Sequence, residues 1–354
     1  MTTIPIENQA ELDFVLMLRR RWADVLYPRV CDEYHQLTAD TQAADAEAIA
    51  ARVHRLNGYG AFAWLERGSQ KMLWRAAVAA IAASRENTSS EPAQAHADRS
   101  TVEVDPQLEL PAWYTEWDIH VQPGGVWSST AAAEVYELGA KLVMQGENDD
   151  YRFHRLFVET AIPDRPYRRI VDLGCGFGKS TWILKERYLQ AEVIGIDLAE
   201  PCLRLAARRA GTKGLDIRFR QANAAETGLE THSAELVTAT MLIHELPLGV
   251  LSAVFKEAAR LLAPGGLLRI LDFQFTGDPM RDLAMREHGR RNNEPFLPPM
   301  MTADTLAMAR AAGLHNPRWT AFDERSAGRL STLRWPERRE WHFPWAVLEA
   351  ERVA

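Results

Sequence analysis

The sequence predicts an α/β fold: a mostly parallel sheet covered by helices on both faces, preceded by a mainly helical N-terminal domain. Three observations carry this reading. Short apolar runs alternate with helical patterns between residues 169 and 273. One of those runs, Arg169 to Leu173, opens directly into a glycine-rich turn. Residues 9–85 repeat apolar side chains at helical spacing instead. Strand and helix in strict alternation require a parallel sheet buried on both sides.

In chain order, the helical signal begins with Leu12, Val15, Leu16, Leu18, Trp22, Val25 and Leu26. It continues through Ile49, Val53 and Leu56 to Met72, Leu73, Trp74, Val78 and Ile81. Asn57-Gly58-Tyr59-Gly60 reads as a turn, and the polar, small-residue stretch 87–94 as a linker. This gives a helical N-terminal domain over 1–100 that ends in a polar linker, an aromatic-rich lid or connector over 101–165, and a core over 166–354. Within the core, strands are expected near 169–174, 192–197, 216–221, 235–241 and 266–273, with helices near 178–189, 200–210 and 248–262. A further helix near 302–312 precedes Arg318-Trp319-Thr320-Ala321-Phe322, and Trp341 to Leu348 reads as a last strand. Pro344 argues against a central place for that strand, because proline cannot donate to the ladder.

The turn after Leu173 carries glycines at 174, 176 and 178, and the next strand, Glu192 to Asp197, ends in an acid. Glycines let a backbone approach a ligand closely, the following helix offers its N-terminus, and a carboxylate at the second strand's end accepts ribose hydroxyls. Spacing narrows the nucleotide. A dinucleotide fingerprint needs glycine at 179, which is Lys179, and a phosphate-binding P-loop ending at Gly178-Lys179-Ser180 needs glycine at 173, which is Leu173.

Asp172-Leu173-Gly174-Cys175-Gly176-Phe177-Gly178, with Asp197 downstream, resembles the first two motifs of the class I S-adenosylmethionine (SAM) methyltransferases. Three more segments follow in order: Gln221 to Glu226 around Asn223; Leu242-Ile243-His244-Glu245-Leu246-Pro247 after the fourth strand; and Arg260 to Leu268, with the Pro264-Gly265-Gly266 turn of the ubiquinone/menaquinone branch. The resemblance implies a Rossmann-like class I methyltransferase sheet with an antiparallel edge, SAM as cofactor, S-adenosylhomocysteine (SAH) as product, and no metal. It implies that Asp172, Gly174, Gly176 and Gly178 surround the methionine and ribose portions of SAM, that Asp197 binds the ribose hydroxyls, and that Asn223 and Ala224 flank adenine. Leu198 and Met241 complete the implied cofactor set. Asp172 is otherwise a capping acid at the turn, and Cys175 reads as a small neutral side chain rather than a reactive thiol.

His244 and Glu245 are the candidate catalytic residues, since they follow a strand at the ligand-binding edge of a parallel sheet and histidine titrates in the useful range. Their alternative readings are loop support for His244 and a favourable helix-dipole contact for Glu245. Trp113 to Trp127 interleaves aromatic rings with acid, amide and imidazole groups before a Pro-Gly-Gly turn. It is read either as a lid over the acceptor or as a packed aromatic hinge. As a lid it offers Tyr114, His120 and Gln122 to the substrate, with His120 a second candidate base. Arg290 and Arg291 are candidates for an acidic group of the substrate or are surface arginines.

An aromatic-rich insert favours a flat or apolar small-molecule acceptor such as a phenol, quinol or polyketide, and the expected reaction is O-methylation. C-methylation of a quinone-like ring, or S- or N-methylation, is the alternative within the class. A non-catalytic SAM-binding scaffold and an NAD-dependent oxidoreductase are the alternatives outside it. Net charge of -7 over 354 residues argues against a nucleic-acid partner. No apolar run is long enough for a membrane span, the N-terminus lacks signal-peptide character, and a cytoplasmic location is expected. Cys31, Cys175 and Cys202 are too widely spaced for a zinc site. The N-terminal helical region is a candidate homodimer surface.

Overall fold

The computed structural model describes residues 4–38, 45–88 and 99–353. Nine strands among them form one sheet: β1 (Thr101–Glu103), β2 (Arg169–Leu173), β3 (Glu192–Asp197), β4 (Arg218–Gln221), β5 (Ala234–Thr240), β6 (Leu262–Phe273), β7 (His315–Asp323), β8 (Gly328–Arg329) and β9 (Trp345–Glu351). Their spatial order is β1-β4-β3-β2-β5-β6-β9-β7-β8. From β1 to β6 every pairing is parallel, whereas β9 runs antiparallel to both β6 and β7. The order reverses at β2, whose neighbours are β3 and β5. A crevice opens there beyond the strands' carboxyl ends, where open parallel sheets bind ligands.

The helices are α1 (Ile6–Arg21), α2 (Tyr27–Thr38), α3 (Ala46–Val53), α4 (Tyr59–Thr88), α5 (Ala112–Thr115), α6 (Thr130–Val143), α7 (Arg152–Ala161), α8 (Lys179–Arg187), α9 (Glu200–Thr212), α10 (Leu248–Leu261), α11 (Pro279–Arg291), α12 (Leu297–Thr302) and α13 (Thr305–Ala311). Local chemistry sets several of their starts. Ser129 accepts from the Ala132 amide at 3.1 Å to cap α6, and Asp278 accepts from Arg281 at 2.7 Å to cap α11, with Pro279 following it.

The five core strands lie within a few residues of their expected places, and two prolines behave differently from expectation. Pro264-Gly265-Gly266 lies inside β6 as an irregularity, since the pairing with β5 jumps from Ala234↔Leu262 to Leu236↔Leu267. Pro344 does not exclude a central strand: β9 begins one residue later and sits between β6 and β7, so the missing donor falls outside the ladder. The expected turn at 57–60 is shifted, because Tyr59 already begins α4. Most of the expected linker at 87–94 lies outside the described residues, and residues 87 and 88 end α4. One strand was not foreseen: β1, within the aromatic-rich segment, pairs with β4 and extends the sheet.

The N-terminal helices share the core of the sheet. Trp22 stacks on Phe62 at 5.3 Å and meets Trp341, just ahead of β9, at 5.7 Å. Helix α4 packs its Trp74 ring against the backbone of α6 at Gly139, where a Cβ would fall 2.1 Å from the ring. Alanine favours a helix interior over glycine by about 1 kcal/mol, yet overpacking a tight core costs about 1–3 kcal/mol. Gly139→Ala is therefore expected to lower unfolding free energy despite its better helix propensity, a change read by denaturant titration; a stabilised variant would contradict this packing.

Candidate active site

Two cavities meet at the carboxyl edge of β2 and β5. The first is lined by the glycine turn, the end of β3 and the loop after β4. The second has aromatic walls from Trp74, Phe273, Phe343 and Trp345. Tyr136, Lys179, Met241 and Glu245 line both, which makes them the boundary between the two spaces.

Around the first cavity the predicted residues divide. Gly174, Gly176, Asp197, Leu198, Asn223, Ala224 and Met241 all line it. Gly174 and Gly176 take positive φ, and a Cβ on Gly174 would strike the Leu242 side chain at 2.6 Å. Asp197 accepts the Gly176 amide at 2.8 Å through Oδ2 and the Ala199 amide at 2.8 Å through Oδ1, so each oxygen keeps capacity for a further donor. Asn223 spends one Oδ1 lone pair on the Ala225 amide at 2.9 Å, which leaves a single acceptor position on that atom.

Asp172 and Gly178 do not reach the cavity. Asp172 is fully buried beneath it, accepting from Ser180 and Thr181 at 2.7 Å and from Thr238 at 2.8 Å. Burial lifts its carboxyl above the ordinary range against those three donors. It ties the glycine turn to α8 and β5. Gly178 caps α8 with φ 91°, and a Cβ there would fall 2.7 Å from the Trp182 indole. Its freedom serves helix packing.

The expected substrate contacts are redistributed as well. Tyr114 lines the first cavity, and burial, reinforced by the nearby Asp197 charge, pushes its hydroxyl well above the usual range. Gln122 lines neither cavity; it is buried and donates to the Ala132 carbonyl at 2.9 Å, bracing the connector against α6. Arg290 is exposed beside Glu287 at 3.3 Å, and Arg291 is committed to Glu66, to Glu287 and to the Tyr59 hydroxyl at 3.0 Å. Neither arginine lines the chamber.

His120 does line the second cavity, inside a chain of ionisable groups. Its Nε2 lies 3.1 Å from Glu245 and its Nδ1 2.9 Å from Glu294. Burial opposes charge on the ring, but the two carboxylates outweigh it and lift the imidazole to about 10, so both nitrogens donate at neutral pH. A ring already protonated has no lone pair with which to act as the base expected from sequence. His244 lines the same cavity from the other side. Its Nδ1 meets Asp272 at 2.7 Å, and its Nε2 lies 3.8 Å from Glu245 and makes no hydrogen bond among the described residues. Burial lowers the His244 imidazole, but Asp272 together with Glu245 and Glu294 raises it further, for a net rise above its ordinary value. Beyond Glu294 the chain continues through His288, 3.9 Å away, to Glu66 at 2.6 Å from the His288 ring.

The first cavity fits SAM by its donor set. A carboxylate with spare acceptor capacity, two positive-φ glycines and Thr240, whose buried hydroxyl has no partner among the described residues, converge on one space. Comparison of the sequence with known proteins agrees. Residues 170–266 match a family described as a methyltransferase domain. The chain is 36% identical over 138 residues to the demethylmenaquinone methyltransferase of Thermus thermophilus, covering 39% of this chain and 60% of that protein. It is 29% identical over 180 residues to the 27-O-demethylrifamycin SV methyltransferase of Amycolatopsis mediterranei, covering 47% and 65%. The SAM complex of Haemonchus contortus phosphoethanolamine N-methyltransferase 2 superposes with TM-score 0.44 at 13% identity, over 58% of this chain and 53% of that one. The chain thus spans under two thirds of these curated relatives. Residues 170–266 are thus a methyltransferase domain, similar to the demethylmenaquinone methyltransferases of Thermus thermophilus and Deinococcus radiodurans.

Two pH dependences follow. Burial pushes the Asp197 carboxyl up to about 6 against its backbone donors, and only the ionised form would accept two hydroxyls of a bound ribose. SAH affinity, measured calorimetrically, is expected to fall as pH drops through about 6, by up to about tenfold per unit. A flat profile would remove Asp197 from ribose binding. His120 has the opposite sign. Its folded value of about 10 exceeds the ordinary 6.5, so its stabilisation is complete below 6.5 and is lost as pH rises toward 10. The difference in Tm between the wild type and His120→Gln should shrink across that window; a constant difference would mean the ring is not charged.

Proposed function

We propose that this protein transfers the methyl group of SAM to a hydroxyl of a small aromatic or polyketide-like acceptor. The observation that carries the reading is the second cavity, aromatic-walled and sharing Tyr136, Lys179, Met241 and Glu245 with the SAM cavity, with the His244–Asp272 pair opening into it. When bound, SAM supplies an electrophilic methyl carbon on a sulfonium. The protein's own residues orient the acceptor, exclude water and take a proton.

Asp272 orients the imidazole by accepting from Nδ1–H, and a second oxygen of the same carboxylate accepts the Ile243 amide at 2.9 Å, so the pair is rigid. Nε2 is left to receive the acceptor's proton. Flat rings suit the chamber because Phe273 and Trp345 stack at 4.4 Å to form its back wall. Gln70 Oε1, buried without a partner among the described residues, offers an acceptor for a substrate hydroxyl. The aromatic segment Trp113 to Trp127 of the connector acts as the lid, with α4 and α6 supplying the chamber's outer wall. The likeness to a demethylmenaquinone methyltransferase supports a second reading, methylation of a ring carbon on a quinone-like acceptor.

Incubation with SAM and a panel of phenols, quinols and polyketide-type hydroxyls, read by mass gain and by fragmentation to the methylated atom, separates the two readings. With the acceptor so found, His244→Ala should leave SAM affinity unchanged and lower kcat by about 10²–10⁴; an undiminished kcat would end the base role of His244.

A further inference from the structure

Lys179, whose place in the turn excludes a dinucleotide, has no task in the reaction as described so far. It is the first residue of α8, and its side chain lines both cavities. The ammonium lies over the Tyr136 ring at 5.8 Å and the Phe177 ring at 5.5 Å. Among the described residues no carboxylate reaches ion-pair distance from it; Glu245, which attracts it through space, already accepts from His120. The second carboxylate facing the chamber, Glu294, is likewise held by His120 at 2.9 Å. Both acids thus spend their contacts on the imidazolium, and although Lys179 offsets the second of their two charges through space, its ammonium keeps its hydrogen-bond donors free among the described residues. Burial pushes this ammonium down to about 8, a value at which it is still protonated near neutrality.

We infer that Lys179 is the anion-recognition group of the acceptor site and holds the acceptor as an oxyanion, a phenolate or enolate, at the boundary of the two cavities. The inference rests on the SAM reading above, because a sulfonium in the adjoining space adds a second positive charge and favours an acceptor that arrives negative. An aromatic ring carrying an acidic hydroxyl satisfies both features: the ring meets the aromatic walls, and the ionised oxygen meets the ammonium. A cationic amine offers the ammonium's free N–H donors no acceptor. The acceptor's proton leaves before capture, to His244 or to water, and no bond of the acceptor other than O–H is broken in this step.

The test uses the full-length protein saturated with SAH and para-nitrophenol as the probe, since the ionised probe is yellow and its protonated form is not. Wild type should bind the phenolate and move the probe's ionisation midpoint to lower pH. Lys179→Gln should weaken phenolate binding about tenfold or more, with SAH affinity by calorimetry unchanged as the check on folding, and Lys179→Arg should restore part of it. Equal phenolate binding by wild type and Lys179→Gln, or no binding by wild type, would overturn the inference. So would a loss confined to SAH affinity, which would assign the ammonium to the nucleotide. Lys179-dependent phenolate binding without methyl transfer to any hydroxyl in the panel would instead support anion recognition and count against the O-methyl reading alone.

Discussion

The buried His120 imidazolium between Glu245 and Glu294 is the constraint on which the aromatic-walled chamber depends. Three separate stretches of chain meet there: the aromatic connector, the loop after β5 and the loop after α11. A buried charge is tolerated only when it is paired and hydrogen-bonded, and removing one member of such a set commonly costs about 3–5 kcal/mol. The chamber thus closes as a unit or not at all. The backbone reinforces this. His120 and Val121 both take positive φ, at 59° and 64°, a conformation a β-branched residue rarely adopts. Trp74 and Gln70 of α4 both donate to the His120 carbonyl, so the N-terminal helices and the ion pairs together hold that strained turn in place.

The sheet supplies the complementary rigidity. Asp172 draws three hydroxyls from α8 and β5 onto one carboxylate, and Asp197 draws two backbone amides onto another. The two acids differ in what they leave over. Asp172 is enclosed and spent on the scaffold, whereas Asp197 faces the first cavity with acceptor capacity in reserve. The fixed turn and the open carboxylate are separate devices, although the sequence motif presents them as one.

That distinction marks the limit of what sequence alone discloses. The parallel sheet, its strand order of motifs and the residues at the carboxyl ends of β2, β3 and β5 were legible, because continuous apolar runs and glycine spacing encode them locally. Tyr136 was not, since on α6 its position reads as ordinary helical core. Asp272 sits within an apolar run and gives no sign that it faces His244 across the sheet. Glu294 gives no local sign either, because its partner His120 lies 174 residues away. Gln122, Arg290 and Arg291 were drawn to the substrate by composition, yet each is committed to a neighbouring protein group that no local pattern announces.

The charges around the chamber separate two tasks that a methyl-transfer site must perform. Carboxylates matched to His120 close the chamber; an uncommitted ammonium and an Asp-oriented imidazole face its interior. If all of these charges were paired with one another, the chamber would be closed but indifferent to the acceptor's ionisation. If none were, burial would drive each group neutral and the walls would lose their hold. Binding His120 to two acids while leaving Lys179 over aromatic rings resolves this conflict, because a cation–π contact holds the ammonium in place without occupying its hydrogen-bond donors. Under the proposed O-methylation those donors meet the reacting oxygen, and methylation of that oxygen would abolish its charge, so the contact that favours the ionised acceptor would weaken on the product.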